Sequence, residues 1–496
     1  MKILMVYPKY PLTFWSFKYA VKFISKKASF PPLGLLTVAS LLPPGFECKL
    51  VDMNVSKLRD EDMEWADMVF ISAMEVQKES VKEVVRRCHS FKKKIVAGGP
   101  LFTTQPYSIK GMDHLVLDEG ETTLPMFLKD LSEGNLKRIY TSKIRPDISN
   151  MPLPKWSLVD RKKYATMLLQ YSRGCPFNCE FCDIAYLNGK VPRTKSPDQV
   201  IRELQNLHEM GWRGSIFFVD DNFIGNIREV KKMLPQLIEW QKEHNYPFSF
   251  LTEASVNMSQ DIELLELMSG ANFNKVFLGI ETPNMESLKE CHKYQNIGMD
   301  MVHAVRTIQK HGMEVMGGFI VGFDSDNENI FENQIEFIQR TGIVTAMVGL
   351  LNAIPETPLW ERLKREGRLH GEATGSNTDG TINFIPKMDK DELMMGYRRI
   401  ITTIYSYREY YKRIDTFLRN YRPTYRSKLK MVDIKAFLRS LWRIGVLSGA
   451  RFHYWKLLVK TLLLRRKAIP KAIEMAIIGL HFHRVARTLE KSHPSW

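Results

Sequence analysis

RGCPFNCEFCD, residues 173–183, carries cysteines at positions 175, 179 and 182, half of the six in this 496-residue chain. Thiolates spaced C-x3-C-x2-C in one loop can converge on a single metal centre. Three is an informative number: a structural zinc site closes with four ligands, whereas an iron–sulfur cube held by three cysteines keeps one iron open for a substrate or cofactor. At this point a zinc site completed by a distant His or Cys, or three ordinary buried thiols, are the alternatives. Cys48 and Cys88 lie far upstream and Cys291 falls on an expected helix, so none is an obvious fourth ligand. The C-x-x-C half alone would suit thioredoxin-like redox chemistry, but the third cysteine just before it argues otherwise.

Downstream and upstream of this loop the chain alternates strands and helices. MLLQYS leads into the cysteines, and SIFFVDD, FSFLTEA, KVFLGIET, EVMGGFIVGF and TAMVGLLNAIP follow as strands, separated by helical stretches such as SPDQVIRELQNLHEM with Ser196 as its cap. Six such units predict a partial β/α barrel over residues 166–370, with its chemistry at the C-terminal strand ends. Gly317 and Gly318 in VMGGFIVGF suit either close approach to a cofactor or tight packing. Residues 1–135 repeat the alternation with KILMVY, CKLVDMNV, DMVFISA, KKIVAGG and DHLVLDEG, which predicts a Rossmann-like parallel sheet covered on both faces. Ligands of such sheets sit beyond the C-terminal strand ends, here YPKYP, SAMEVQ, GGPLFTT and DEGETT. Residues 136–165 read as a linker, and 371–496 as a helical C-terminal region. The fold class is α/β with that helical appendage.

Charge is distributed unevenly. The net charge is +16, and residues 391–496 hold 23 Lys and Arg against 7 Asp and Glu, so residues 1–390 are neutral overall. VDIKAFLRSLWRIGVL places Lys435, Arg439 and Arg443 on one face of a helix whose other side is apolar. This composition suits an anionic partner: either a membrane face in contact with peripheral helices, or nucleic acid. The other reading is a helical cap on the barrel with a solvated basic surface. His481 and His483 are expected at the surface rather than on a metal. No signal peptide, apolar span or disulfide framework is evident, and a cytoplasmic location is expected.

CPFNCEFC resembles the C-x3-C-x-aromatic-C motif of the radical S-adenosylmethionine (SAM) superfamily. The resemblance implies a 4Fe–4S cluster on Cys175, Cys179 and Cys182, SAM on its open iron, and a deoxyadenosyl radical from reductive cleavage of SAM. A flavodoxin, ferredoxin or reductase would supply the electron. The parallel-sheet domain ahead of the barrel resembles the cobalamin-binding subgroup. Within it, FFVDDNFIGN, GIETP, GMEV, LIEWQK and IPETPLW resemble hopanoid C-methylases over about residues 1–370, the similarity fading beyond.

The same resemblance implies that Phe181 packs beside adenine, that Asp220, Asp221 and Asn222 meet the SAM amino group, and that Glu253 or Glu281 meets its ribose or methionine part. Ser72, Gly98, Gly99 and Pro100 would underlie a corrinoid. The D-x-H-x-x-G sequence that supplies a histidine to cobalt is missing, so the lower axial position is expected to be empty, water-filled or approached by a non-histidine side chain. The implied activity is methyl transfer from cobalamin to an unactivated carbon of a small, lipid-like molecule. The rival readings are a radical cyclase or rearrangement enzyme and a cobalamin- or redox-sensing module. A tRNA methylthiotransferase would need a further three-cysteine cluster in the first domain, where only Cys48 and Cys88 occur, so a nucleic-acid partner is not expected.

Overall fold

The computed structural model describes residues 1–149, 151–376, 378–424 and 430–492. Its first layer is a six-stranded parallel sheet of β1 (Lys2–Tyr7), β2 (Glu47–Asp52), β3 (Met68–Ser72), β4 (Lys94–Gly98), β5 (His114–Val116) and β6 (Ile139–Tyr140), in the order β2-β1-β3-β4-β5-β6. The uninterrupted apolar run of β1 has a physical reason. Ile3 and Met5 pack on one face with Leu35, Phe70 and Phe127, while Leu4 and Val6 pack on the other with Val69, Val81 and Val84. Both faces of a parallel strand are buried, so nothing in it alternates with polar residues. β6 lies inside the segment expected to be a linker. Tyr140 explains why: its ring is buried edge-on against Phe127, at 5.5 Å between centroids.

The second sheet is built from β7 (Thr166–Leu169), β10 (Gly214–Phe218), β11 (Phe248–Ala254), β12 (Phe273–Glu281), β13 (Glu314–Val321) and β14 (Ala346–Leu350). Its order is β14-β13-β12-β11-β10-β7, all pairs parallel, the arrangement of a partial barrel. Between β7 and β10, β8 (Ser172–Arg173) and β9 (Arg193–Thr194) form a short antiparallel ribbon that brackets the cysteines. The outer helices start where local chemistry says they should: the Ser196 hydroxyl accepts from the Gln199 N–H ahead of Pro197–Glu209, as expected. Gly317 and Gly318 are packing glycines, since a Cβ there would press on Phe319 and Ile343, or on Phe277.

A partial barrel has an open edge, and such an edge must be covered. The Lys390–Ile404 and Tyr407–Asn420 helices lie over β14, where the hydroxyls of Tyr397 and Tyr405 donate to the carbonyls of Val348 and Ala346. Arg413 is buried among them and donates to Val344 O at 3.2 Å, Ile404 O at 2.9 Å and Gln339 Oε1 at 2.8 Å. The last helix, Ile469–Ser492, is tied to the barrel by charge: Lys471 lies 3.1 Å from the buried Glu314 of β13 and 2.8 Å from Glu474, which also pairs with Lys275 of β12. His481, expected at the surface, is fully buried with Nε2 3.0 Å from Phe14 O. His483 is half-buried and stacks on Tyr407 at 4.0 Å. Both histidines pin the C-terminal helix, because an imidazole can satisfy a buried carbonyl that an apolar side chain would leave unpaired.

Lys471→Met strips the nearest cation from a buried carboxylate, so it should destabilise the chain by about 3 kcal/mol. Thermal unfolding checks this, and adding Glu314→Gln should restore most of the lost midpoint.

Candidate functional site

The cysteine loop is held from three sides before any ligand is considered. Gly174 adopts φ 97°, and a Cβ on it would lie 2.8 Å from Gly189 O, so only glycine lets the chain enter the loop this close to its return. Its N–H donates to Asp221 Oδ2 at 2.8 Å, and Asn188 Nδ2 donates to the same oxygen at 2.9 Å. At the far end the Glu180 N–H donates to Cys291 O, and the Glu180 carboxylate takes a two-pronged pair from Arg362 at 2.6 and 3.0 Å. The third support comes from the first sheet. Glu119, buried just beyond β5, accepts from Arg145, Arg173 and Arg193 at 3.2, 2.7 and 2.7 Å, and Glu121 takes a second pair from Arg173 at 2.6 and 3.0 Å. The C-terminal edge of the first sheet is thereby fastened to the loop that carries the cysteines.

Within the loop, burial pushes the thiols of Cys175 and Cys182 up, and the cation of Lys293 opposes the shift at both. Lys293 is buried and paired with Glu281 at 2.7 Å, and the Cys179 and Cys182 thiolates further favour its charged form. Asn222 Nδ2 lies 3.8 Å from Cys175 Sγ, and Gln295 Nε2 lies 3.7 Å from Cys179 Sγ. Thiolates gathered here would therefore have both a cation and N–H donors to hold their charge. Among the described residues no three His, Cys, Asp or Glu side chains are gathered closely enough to hold one metal ion. Phe181 is half-buried beside Phe323, with ring centroids 6.3 Å apart.

The acidic residues expected at the site divide into those already used and those with capacity to spare. Asp220 is fully engaged: its carboxylate accepts from the N–H groups of Tyr171 and Ser172 at 2.7 and 2.9 Å and from the Ser172 hydroxyl at 2.8 Å. These bonds brace the chain just beyond β7. Glu281, at φ 63°, spends its charge on Lys293. A Cβ on Gly279 would collide with both members of that pair.

Glu253 and Asn222 are different. Burial, reinforced by the charges of Asp221 and Asp220, pushes the Glu253 carboxyl up to about 8. Asn222 Nδ2 donates to Ser255 at 3.2 Å, yet its buried Oδ1 has no partner. Buried acceptors of Asn257, Gln295, Asn296 and Asn352 are likewise unpaired, and Asn296 Nδ2 donates to Gly279 O and Ile280 O near the end of β12. Unsatisfied buried acceptors are uncommon in native proteins. Acceptors of this kind suit the ammonium and hydroxyl donors of a ligand such as SAM.

In the first sheet, Ser72, Gly98, Gly99 and Pro100 come together beyond β3 and β4. Gly99 has φ 89°, and a Cβ there would lie 2.7 Å from Ser72 Oγ, so the two loops approach as closely as backbone allows. Beside them Gln77 donates to Pro8 O at 2.5 Å, and Lys78 reaches across to Glu372 at 2.7 Å. The two histidines of residues 1–140 both sit at the opposite edge: His89 bonds Gly111 O, and His114 opens β5 and bonds Lys137 O.

Sequence reading missed Glu119, Glu121, Arg145, Arg193 and Lys293. Glu119 and Glu121 lie in the strand end DEGETT, whose carboxylates are the only local signal for this cluster. Lys293 sits in no local pattern at all.

Residues 23–128 match the B12 binding domain, 169–338 the Radical SAM superfamily, and 357–494 a domain of unknown function (DUF4070). The chain is 42% identical to an uncharacterized methyltransferase of Synechocystis, over 92% of this chain and 86% of the relative. It is 34% identical to the hopanoid C-2 methylase of Rhodopseudomonas palustris, over 99% and 95%, so the resemblance expected to fade near residue 370 runs the whole length. In fold it is similar to the cobalamin-dependent SAM radical enzyme OxsB (TM-score 0.64, 15% identity, 100% and 80% covered). It is also similar to the radical SAM methyltransferase TsrM of Kitasatospora setae (TM-score 0.59, 16% identity, 98% and 99% covered).

Alanine at Cys175, Cys179 or Cys182 should abolish iron binding in anaerobically reconstituted protein. Alanine at Cys291, buried next to the loop, should leave the iron content unchanged; loss of iron in that variant would indicate a fourth thiolate. A second prediction concerns Glu253. A carboxyl raised to about 8 is protonated at neutral pH and must ionise beside a bound cation. SAM should therefore bind about tenfold more weakly for each pH unit below that value and no more tightly above it. Calorimetry in buffers of different ionisation enthalpy should find one proton fewer released by Glu253→Gln.

Proposed function

We propose a substrate class and a division of labour for this chain, which belongs to the cobalamin-dependent radical SAM methyltransferase family. The substrate is a hydrophobic, lipid-like molecule methylated at an unactivated carbon. The observation that carries this reading is the full-length identity to a hopanoid C-2 methylase, which extends through the C-terminal region as well as the two cofactor domains. When bound, the 4Fe–4S cluster, SAM and cobalamin supply the radical and methyl-transfer chemistry.

The chain's own residues bind, orient and exclude water. Cys175, Cys179 and Cys182 hold the cluster, with Lys293, Asn222 and Gln295 bearing on the charge of its ligands. Phe181 offers a face to adenine. Asp221, Asn222 and Glu253 receive the cationic head of SAM, while Asp220 and Glu281 keep β7 and Lys293 in place. Ser72, Gly98, Gly99 and Pro100 lie beneath the corrinoid. The two histidines of residues 1–140 stand at the opposite edge of the sheet, so the first domain offers cobalt no imidazole at this loop. A flavodoxin, ferredoxin or reductase delivers the electron, and the basic C-terminal helices make peripheral contact with the cytoplasmic face of the membrane that holds the substrate.

Turnover of reconstituted enzyme with methyl-deuterated SAM and a bacterial lipid extract should give a lipid that gains the labelled methyl group. An unlabelled product of altered skeleton would instead mark a radical rearrangement. In the cob(II)alamin-loaded protein, electron paramagnetic resonance should show no axial nitrogen coupling; such coupling would mean a protein or benzimidazole nitrogen on cobalt.

A further inference from the structure

The Met431–Arg443 helix packs with its small residues inward, and the Arg451–Leu464 helix buries Tyr454 and Leu457 while leaving much of its apolar surface exposed. The first buries the small residues Ala436 and Ser440 and turns Leu438 and Trp442 to the outside. Across the connecting turn and along the second helix, Leu447, Phe452, Trp455 and Leu463 are also turned outward. Trp442 is 60% exposed, Leu447 65%, Leu463 71% and Phe452 74%. A water-facing helix ordinarily puts such side chains into the core, and a contiguous exposed apolar surface marks a site of interaction. The pair does not drift free, because Arg439 donates to Phe23 O and Ser25 Oγ, each at 2.7 Å.

The charge on this surface selects the occupant. Residues 431–467 contain nine Lys and Arg and one acidic residue, Asp433. Two copies placed face to face would bring these cations together, and a nucleic acid would leave the tryptophans and leucines uncovered. An anionic bilayer satisfies both features: apolar side chains enter the acyl boundary, tryptophans sit at the headgroup level and cations meet phosphate. No helix among the described residues is long and apolar enough to cross a membrane, so the helices would lie in the interface.

At the edge of the apolar face opens a cleft of about 710 Å³ lined by Lys22, Arg443, Arg484, Arg487 and Lys491, with no acidic residue in its walls. Leu447 belongs to both the cleft and the apolar face. We propose that these two helices seat the enzyme on an anionic phospholipid bilayer and that the adjoining cationic cleft receives the phosphate of a lipid headgroup. This deepens the membrane-contact part of the proposed function and rests on it. It does not depend on which carbon is methylated, and its test reads no turnover.

The test is flotation of the full chain with vesicles of phosphatidylcholine, with and without phosphatidylglycerol. The chain should float with both, and phosphatidylglycerol should raise the affinity about tenfold or more, as a handful of cations near the surface would. The exposed-residue variant Leu438→Asp/Trp442→Asp should lose flotation on either vesicle while keeping its circular dichroism spectrum. Arg484→Glu/Arg487→Glu should keep the residual phosphatidylcholine binding and lose the phosphatidylglycerol preference. The proposal is overturned if the wild-type chain does not float or if the Leu438→Asp/Trp442→Asp variant floats as well as the parent. It is overturned equally by a dimer in sedimentation that this variant breaks without vesicle binding, or by a cleft that binds inorganic phosphate while phosphatidylglycerol has no effect.

Discussion

A single buried carboxylate gathers three guanidinium groups where the two sheets meet. Glu119 stands on the loop beyond β5, Arg173 and Arg193 on the ribbon that brackets the cysteines, and Arg145 on the segment between the domains. Removing one partner from such a buried cluster costs far more than an exposed ion pair contributes. The consequence is geometric: the strand ends of the cobalamin-type sheet and the cluster loop cannot separate without stripping several charges of their partners. A reaction that needs two cofactors in one cavity requires this kind of fixed alignment.

Around this clamp the charged residues sort by whether their bonding capacity is already spent. Asp220, Glu281, Glu180 and Arg362 are engaged with protein partners and shape the site. Asn222 keeps a buried acceptor without a partner, and Glu253 is buried beside the charges of Asp221 and Asp220. Lys293 lies on the thiol side, and the carboxylates lie beyond β10 and β11. The site is therefore graded, with the Lys293–Glu281 pair beside the cluster ligands and carboxyl groups that can ionise on the side of β10 and β11. Polarity of this kind positions an ionic cofactor without a rearrangement of the protein.

Much of this was readable from the chain, for reasons that differ by feature. The parallel strands announce themselves as short apolar runs followed by Gly-, Ser- or acid-rich turns, and all six barrel strands lie where those runs fall. The cysteine motif is local and dense in chemistry. The role of Asp220 was not legible, because its partners Tyr171 and Ser172 are almost fifty residues away and the choice between bracing a strand and facing a ligand is made in three dimensions. β6 escaped notice because a two-residue strand has no periodicity. His481 and His483 looked like surface residues in a basic helix, yet they face the N-terminal segment and the neighbouring helices. The helical pattern of 432–447 was visible, but periodicity alone does not say which face points outward, and here the large apolar side chains do.

If the Glu119 clamp aligns the two cofactor sites, electron paramagnetic resonance of protein carrying a reduced cluster and cob(II)alamin together should show a spectrum split by dipolar coupling between the two spins, and Glu119→Ala should diminish or disperse the splitting. A spectrum equal to the sum of the two centres measured separately would mean that the clamp does not bring them together.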